Sequence, residues 1–183
     1  IDVMNPMGNF NTAIKDDQAK NYLAVAAGSG ITPIMSIMKT VLQVEPRSRF
    51  TLIYGNKNTK SIIFREQIEA LKNQFMDRFD VHYVLSRESL ESPLYNGRIN
   101  SEKINSFSKS VIDFQSMDEL FICGPESMIF EVKDTASALG MSDKQIHFEL
   151  FTSAGSASKK ETRIDDGEEV DRSISDISIH LDG

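Results

Sequence analysis

The sequence predicts a three-layer α/β/α domain built on a five-stranded parallel sheet. Five short apolar runs alternate with segments whose apolar residues recur at helical spacing. Strands separated by helices imply a parallel sheet covered on both faces, with right-handed crossovers. Turn-forming residues follow the first four runs at their carboxyl ends, where open α/β sheets bind ligands near the reversal in strand order.

Residues 22–27 form the first strand. Gly28-Ser29-Gly30 turns the chain, and Ile31, Ile34, Met35, Ile37, Met38, Val41 and Leu42 mark a helix over residues 32–44. Pro33 falls in its first turn, where a missing N–H costs nothing. Residues 50–55 form the second strand. Ser61 is placed to cap the next helix, with Phe64, Ile68, Leu71 and Phe75 on its apolar face. Residues 79–86 form the third strand, followed by a loop over 88–97 and a short helix over 101–107. Residues 119–123 form the fourth strand, stopped by Gly124-Pro125, and a helix over 127–139 ends at Gly140. Residues 145–151 form the fifth. His147 and Glu149 share a face of it, but two candidate ligands do not make a metal site, and none is predicted.

Composition narrows the function. A net charge of −7 argues against nucleic acid as a partner. No apolar run approaches the roughly 20 residues of a membrane helix. The first residues, Ile1-Asp2-Val3-Met4-Asn5-Pro6, lack the basic start and apolar stretch expected of a signal peptide. The single cysteine, Cys123, excludes an internal disulfide and a cysteine-rich cluster, which fits a reducing cytoplasm. A chain that opens on Ile1 reads as a piece of something longer. Residues 152–175 are rich in Ser, Ala, Gly and charge, as flexible linkers are. Ile177, Ile179 and Leu181 then alternate with polar residues, like the first strand of a further domain.

The strand–turn–helix at Gly28–Thr32 is the leading site. A helix start offers unpaired N–H groups and a positive dipole end, which attract phosphate. The turn lacks the third glycine of the dinucleotide fingerprint, because Pro33 stands there, and no Gly-Lys-Ser/Thr follows as in a P-loop. A plain turn feeding an ordinary α/β unit is the competing reading.

The motifs Ala26-Ala27-Gly28-Ser29-Gly30-Ile31-Thr32-Pro33, Tyr54-Gly55-Asn56, Ser86-Arg87-Glu88 and Phe121-Ile122-Cys123-Gly124-Pro125 with Met128 together resemble the nicotinamide-nucleotide domain of the ferredoxin–NADP reductase family. The resemblance covers residues 21–151. Residues 1–20, with Met4–Phe10, resemble the end of a preceding flavin-binding barrel, and residues 176–183 the start of a following ferredoxin-like domain. It implies an NAD(P)H-dependent oxidoreductase that binds NADPH, with NADH possible. In the whole protein it implies FAD and a 2Fe-2S cluster feeding an oxygenase component. The barrel and the ferredoxin cysteines are missing, so this piece is expected to hold neither flavin nor cluster and to be inactive alone.

By that resemblance Gly28, Ser29, Gly30, Ile31, Thr32 and Pro33 cradle the pyrophosphate, with the Thr32 hydroxyl donating to it. Gly55 and Asn56 belong to the same rim. Ser86 and Arg87 read a 2′-phosphate, the planar guanidinium giving charge and two aligned donors. A surface pair of Arg87 with Glu88 or Glu91 is the alternative, and Lys57 and Arg98 are weaker candidates for the same anion. Cys123 lies beside the nicotinamide without acting as a nucleophile, and Gly124, Pro125 and Met128 shape that wall. Glu149 resembles the acidic residue near the flavin–nicotinamide junction. Other electron acceptors (haem, nitrate, a dihydroorotate-type partner) and a non-catalytic nucleotide-binding module remain open.

Overall fold

In the computed structural model the chain divides into two units, Ile1–Phe151 and Thr152–Gly183, and residues 10–150, all in the first, are described. Residues 4–9, the linker over 152–175 and the strand expected after it lie outside the described residues.

The elements run β1 (Asn21–Ala27), α1 (Ile31–Val44), β2 (Arg49–Asn56), α2 (Arg65–Gln74), β3 (Phe79–Leu85), α3 (Ser101–Ser110), β4 (Glu119–Gly124), α4 (Glu126–Ala138) and β5 (Ile146–Leu150). The five strands form one sheet in the order β3-β2-β1-β4-β5, and every pair is parallel. Alternate residues of β1 feed two cores. Tyr22, Ala24 and Ala26 join Ile34, Met38 and Val41 of α1 and Ile68 and Leu71 of α2. Leu23 and Val25 join Ile104 and Phe107 of α3 and Ile129 and Val132 of α4. Two helices on each face complete the three layers.

The second helix starts later than its sequence suggests. Asn58 and Ser61 bond reciprocally, the Asn58 side chain accepting from the Ser61 N–H and the Ser61 hydroxyl from the Asn58 N–H, each at 3.1 Å. This closes a 3₁₀ turn over Thr59–Ser61, so Ser61 caps nothing in α2. Phe64 becomes the cap residue, in the left-handed region at φ 59°, and is 36% exposed instead of joining Ile68 and Leu71 inside.

Residues 10–20 carry no strand or helix, yet they pack on the domain. Phe10 meets Phe121 edge to face with ring centroids 5.5 Å apart, and Ile14 lies against the first core. A buried carboxylate organises this edge. Glu45, fully enclosed, accepts from the Tyr22 hydroxyl at 3.0 and 3.1 Å, from Ser48 Oγ at 2.6 Å and from the Lys15 N–H at 3.2 Å. Burial together with that carboxylate raises the Tyr22 phenol well above its usual range. Nearby, Glu119 of β4 accepts from Lys20 at 2.8 Å and pairs with His147 of β5 at 2.6 Å. His147 is thereby committed to Glu119.

Removing the Glu45 carboxylate takes the main acceptor from two buried hydroxyls, those of Tyr22 and Ser48. Glu45→Ala is expected to cost roughly 2–4 kcal/mol, read as a lower urea midpoint, with Glu45→Gln costing less. An unchanged midpoint for Glu45→Ala would show that this cluster does not hold the entry segment.

Candidate functional site

Strand order reverses between β1 and β4, and the turn after β1 meets the end of β4 there. Gly28–Gly30 forms a single 3₁₀ turn. Gly28 sits at φ +54° with open space where a side chain would stand. A β-carbon on Gly30 would lie 2.1 Å from the Cys123 carbonyl oxygen, so only glycine fits. The turn is pinned from below: the Tyr54 hydroxyl donates to the Gly28 carbonyl at 2.9 Å. Burial pushes that phenol up to about 12, opposed by the Asn56 side chain and the Ile63 backbone, so it stays a proton donor at neutral pH.

Among the described residues no side chain caps the start of α1, and no acidic residue stands in its first turn. The Thr32 hydroxyl is already used. It donates to the Ser29 carbonyl at 3.0 Å, a bond that a phosphate would have to replace. Ile31 is fully buried and serves the core.

A cleft of about 370 Å³ opens beside this turn. Its walls are Ala27 and Gly28 after β1, residues 55–57 at the end of β2, Ser86 and Arg87 after β3, residues 97–99, and Pro125, Ser127 and Met128 opening α4. The backbone zips the second and third of these together: the Ser86 N–H donates to the Asn56 carbonyl at 3.0 Å and the Arg87 N–H to the Lys57 carbonyl at 2.7 Å. The loop after β3 folds back on itself. Asn96 bonds the Leu90 N–H at 2.7 Å and the Leu90 carbonyl at 2.9 Å, and the Gly97 N–H donates to the Leu85 carbonyl at 2.8 Å. This return brings Arg98 to the rim.

Three cations, Lys57, Arg87 and Arg98, therefore line a cleft with no carboxylate in its wall. None of the three forms an ion pair among the described residues. Glu88 turns away from its neighbour Arg87. It accepts from the Thr59 N–H and the Thr59 hydroxyl, both at 2.7 Å, and the backbone bond first and then the hydroxyl bond hold its carboxyl below the usual range. Asn56, only 9% exposed, closes β2 with its side chain beside the Tyr54 phenol.

Of the expected site residues, Gly28, Gly55, Asn56, Ser86, Arg87, Pro125 and Met128 surround this one cleft. Ser29 and Thr32 stand exposed on the turn beside it. Gly30 and Gly124 provide close packing, Gly124 facing Met128 and Ala27. Cys123 and Glu149 are register partners on β4 and β5 and lie outside the cleft wall. Cys123 is fully buried, and burial first, with Glu149 adding, pushes its thiol up to about 11. Ile99 and Ser127 are wall residues that sequence reasoning passed over. The only signal for Ile99 was its place after Gly97-Arg98.

The sequence pattern described as the oxidoreductase NAD-binding domain matches residues 24–134. The chain is 43% identical over 171 residues to a component of the 1,2-phenylacetyl-CoA epoxidase of Escherichia coli K12, covering 93% of this chain and 48% of that protein. It is 33% identical over 184 residues to the ferredoxin reductase component of 3-ketosteroid-9-alpha-monooxygenase of Mycobacterium tuberculosis, covering all of this chain and 46% of that protein. The chain thus spans about half the length of these curated relatives. Among solved structures, the CS-b5R domains of human Ncb5or in the NAD+ form align over 78% of this chain and 40% of theirs, at TM-score 0.66 and 30% identity. The fold also matches the cytochrome P450 reductase GcoB of Amycolatopsis, at TM-score 0.68 and 23% identity over 81% of this chain and 43% of that one.

A buried thiol raised to about 11 has only about 0.1% thiolate at pH 8. Cys123 is the sole cysteine, so the whole thiol signal reports it. Reaction of the folded chain with an aromatic disulfide reagent at pH 8 is expected to be at least about 100-fold slower than in denaturant. Comparable rates in both would contradict the burial and protonation assigned to Cys123.

Proposed function

The chain belongs to the oxidoreductase NAD-binding domain family, the nicotinamide-nucleotide domain of ferredoxin reductase-like proteins, and we propose that its cleft binds NADPH for electron entry into an oxygenase. The observation that carries this reading is the cluster of Lys57, Arg87 and Arg98 around one cleft without a carboxylate, beside a glycine turn at the switch point. Three cations without an ion-pair partner among the described residues, in a protein of net charge −7, favour a ligand with more than one phosphate group. The Gly28–Gly30 turn and the open start of α1 suit the diphosphate. Ser86 and Arg87 suit a 2′-phosphate, since the guanidinium offers two aligned donors and Glu88 is occupied elsewhere.

The chain's own task is placement. Gly30 and the Cys123 carbonyl fix the turn against β4. Cys123, Gly124, Pro125 and Met128 form the ground on which the nicotinamide would rest, and Glu149 borders it from β5. A protonated thiol fits contact and shape, with no nucleophilic step. When bound, the nicotinamide supplies a hydride, and in the whole protein its electrons would reach the oxygenase through FAD and a 2Fe-2S cluster. The extent of the match to the epoxidase component supports phenylacetate degradation as the setting. A cytoplasmic location accords with a chain in which, among the described residues, no helix is long and apolar enough to cross a membrane. A second reading, NADH as donor, is favoured by the likeness to a domain solved in its NAD+ form.

Calorimetry on this chain separates the two. Arg87→Ala is expected to weaken NADPH about 5- to 150-fold and to flatten the salt dependence of its binding, because a screened charge contact is lost. NADH, whose ribose hydroxyl is no anion, should barely change. Equal losses for both nucleotides would show that Arg87 supports the loop, and tighter binding of NADH by the unmutated chain would overturn the NADPH assignment.

A further inference from the structure

Within the nucleotide reading above, on which this inference rests, Arg98 stands at the cleft because the loop after β3 returns to the rim. Residues 86–89 and 91–93 of that stretch are exposed, so burial holds little of it. The Asn96 bonds to Leu90 close the loop on itself. Leu94 and Tyr95 are the loop side chains that pack against the second core. Tyr95 is three residues before Arg98, at most about 11 Å of chain, so the seat of its ring constrains where Arg98 can lie.

That seat is specific. The Tyr95 ring lies parallel to the His82 imidazole, with centroids 6.0 Å apart and 7° between the planes, and edge-on to Phe107 of α3 at 6.0 Å. His82 in turn meets Phe107 at 5.5 Å. The Tyr95 hydroxyl stands 3.4 Å from His82 Nδ1. A neutral imidazole with its proton on Nε2 accepts there from the phenol. His82 belongs to β3, in register with Ile53 of β2, so the cluster joins the sheet, α3 and the loop.

The seat suits the neutral ring. Burial, the largest effect, lowers the His82 pKa below its ordinary value; Asp80 of its own strand opposes this and Lys72 of α2 adds to it. Asp80 is itself paired with Lys72 at 2.9 Å, and among the described residues no carboxylate pairs with His82. Lys103, the α3 cation at this loop, donates to the Pro93 carbonyl at 2.9 Å. A proton on Nδ1 removes the acceptor that faces Tyr95 and puts a charge into a half-buried site.

We propose that neutral His82, acting through Tyr95, positions Arg98 for a ligand phosphate, and that protonation of His82 frees the loop and lowers the affinity of the cleft. Both are positioning residues, since neither lines the cleft. Because the pinned state holds the lower pKa, its advantage is complete above the ordinary histidine value of about 6.5. It is lost as pH falls from there through the pinned value. A loop with few buried side chains lies at the low end of local stability, so such a shift changes its population.

The test is calorimetry on the 183-residue chain with adenosine 2′,5′-bisphosphate at pH 7.5 and pH 5.5. This probe carries the 2′-phosphate without the acid-labile reduced nicotinamide, and its own titration cancels in ratios between variants. His82→Asn keeps an acceptor and does not titrate; His82→Phe keeps a ring and does not titrate. Between the two pH values the unmutated chain is expected to lose about 3- to 10-fold more affinity than either variant, one unit of pKa shift being worth tenfold. Tyr95→Ala and Arg98→Ala should each bind more weakly at pH 7.5 and lack that excess loss. Equal pH losses in the unmutated chain and both His82 variants, or an excess that survives in Tyr95→Ala or Arg98→Ala, would overturn the assignment and leave nucleotide binding standing. Failure of the unmutated chain to bind the probe at pH 7.5 would instead remove the 2′-phosphate reading on which the inference rests.

Discussion

The close approach of Gly30 to the Cys123 carbonyl governs the geometry of this domain's upper rim. Two strands far apart in sequence, β1 and β4, are neighbours in the sheet. The helices that follow them, α1 and α4, lie on opposite faces of the sheet and leave a crevice, yet the turn after β1 has to stay near enough to β4 to form one of its walls. With no β-carbon at position 30 the turn lies on the β4 backbone, and α1 begins there. The Tyr54 hydroxyl then fixes the Gly28 carbonyl from β2. Three strands thus locate one short turn, and the cleft takes its shape from that fixed point.

Charge is distributed along the sheet axis in the same sense. The carboxylates that matter to stability sit at the amino ends of the strands. Glu45 is held by Tyr22, Ser48 and the Lys15 N–H, and Glu119 by Lys20 and His147. Near the cleft, Glu88 is taken up by Thr59. The cations Lys57, Arg87 and Arg98 are left at the carboxyl ends without ion-pair partners among the described residues. An acidic chain can present a basic cleft because these carboxylates already have better donors than the three cations.

Much of this was legible in the sequence, and what was not has definite causes. The parallel order follows from apolar runs alternating with helical periods, and the rim residues follow from their places after those runs. Local patterns misled where a side chain had two possible partners. Ser61 reads as a helix cap until Asn58 is seen to claim it, and Phe64 reads as core until that 3₁₀ turn displaces the helix start. The entry segment shows no period because Phe10 and Ile14 pack singly, a contact that periodicity cannot register. Ile99 reaches the cleft only through the folding back of the loop after β3, which depends on Asn96 bonding a residue six positions earlier. Ser127 reaches it because α4 opens at the rim, one residue past Glu126.

The distribution of the expected site residues has its own logic. The cleft gathers the residues suited to phosphate and ribose, while Cys123 and Glu149 stand together on β4 and β5 outside its wall. A dinucleotide has two ends of different chemistry, and the sheet offers two regions to match. The region around β1, β2 and β3 is cationic and polar, suited to an anion that must be held. The β4 side offers a buried thiol, Gly124 and Pro125, with Glu149 alongside on β5. Strong contacts at the first region can hold a ligand whose second end is only lightly held, and a lightly held end can move into register with a partner surface. In the proposed function, binding energy spent far from the reacting carbon would thereby be converted into its position.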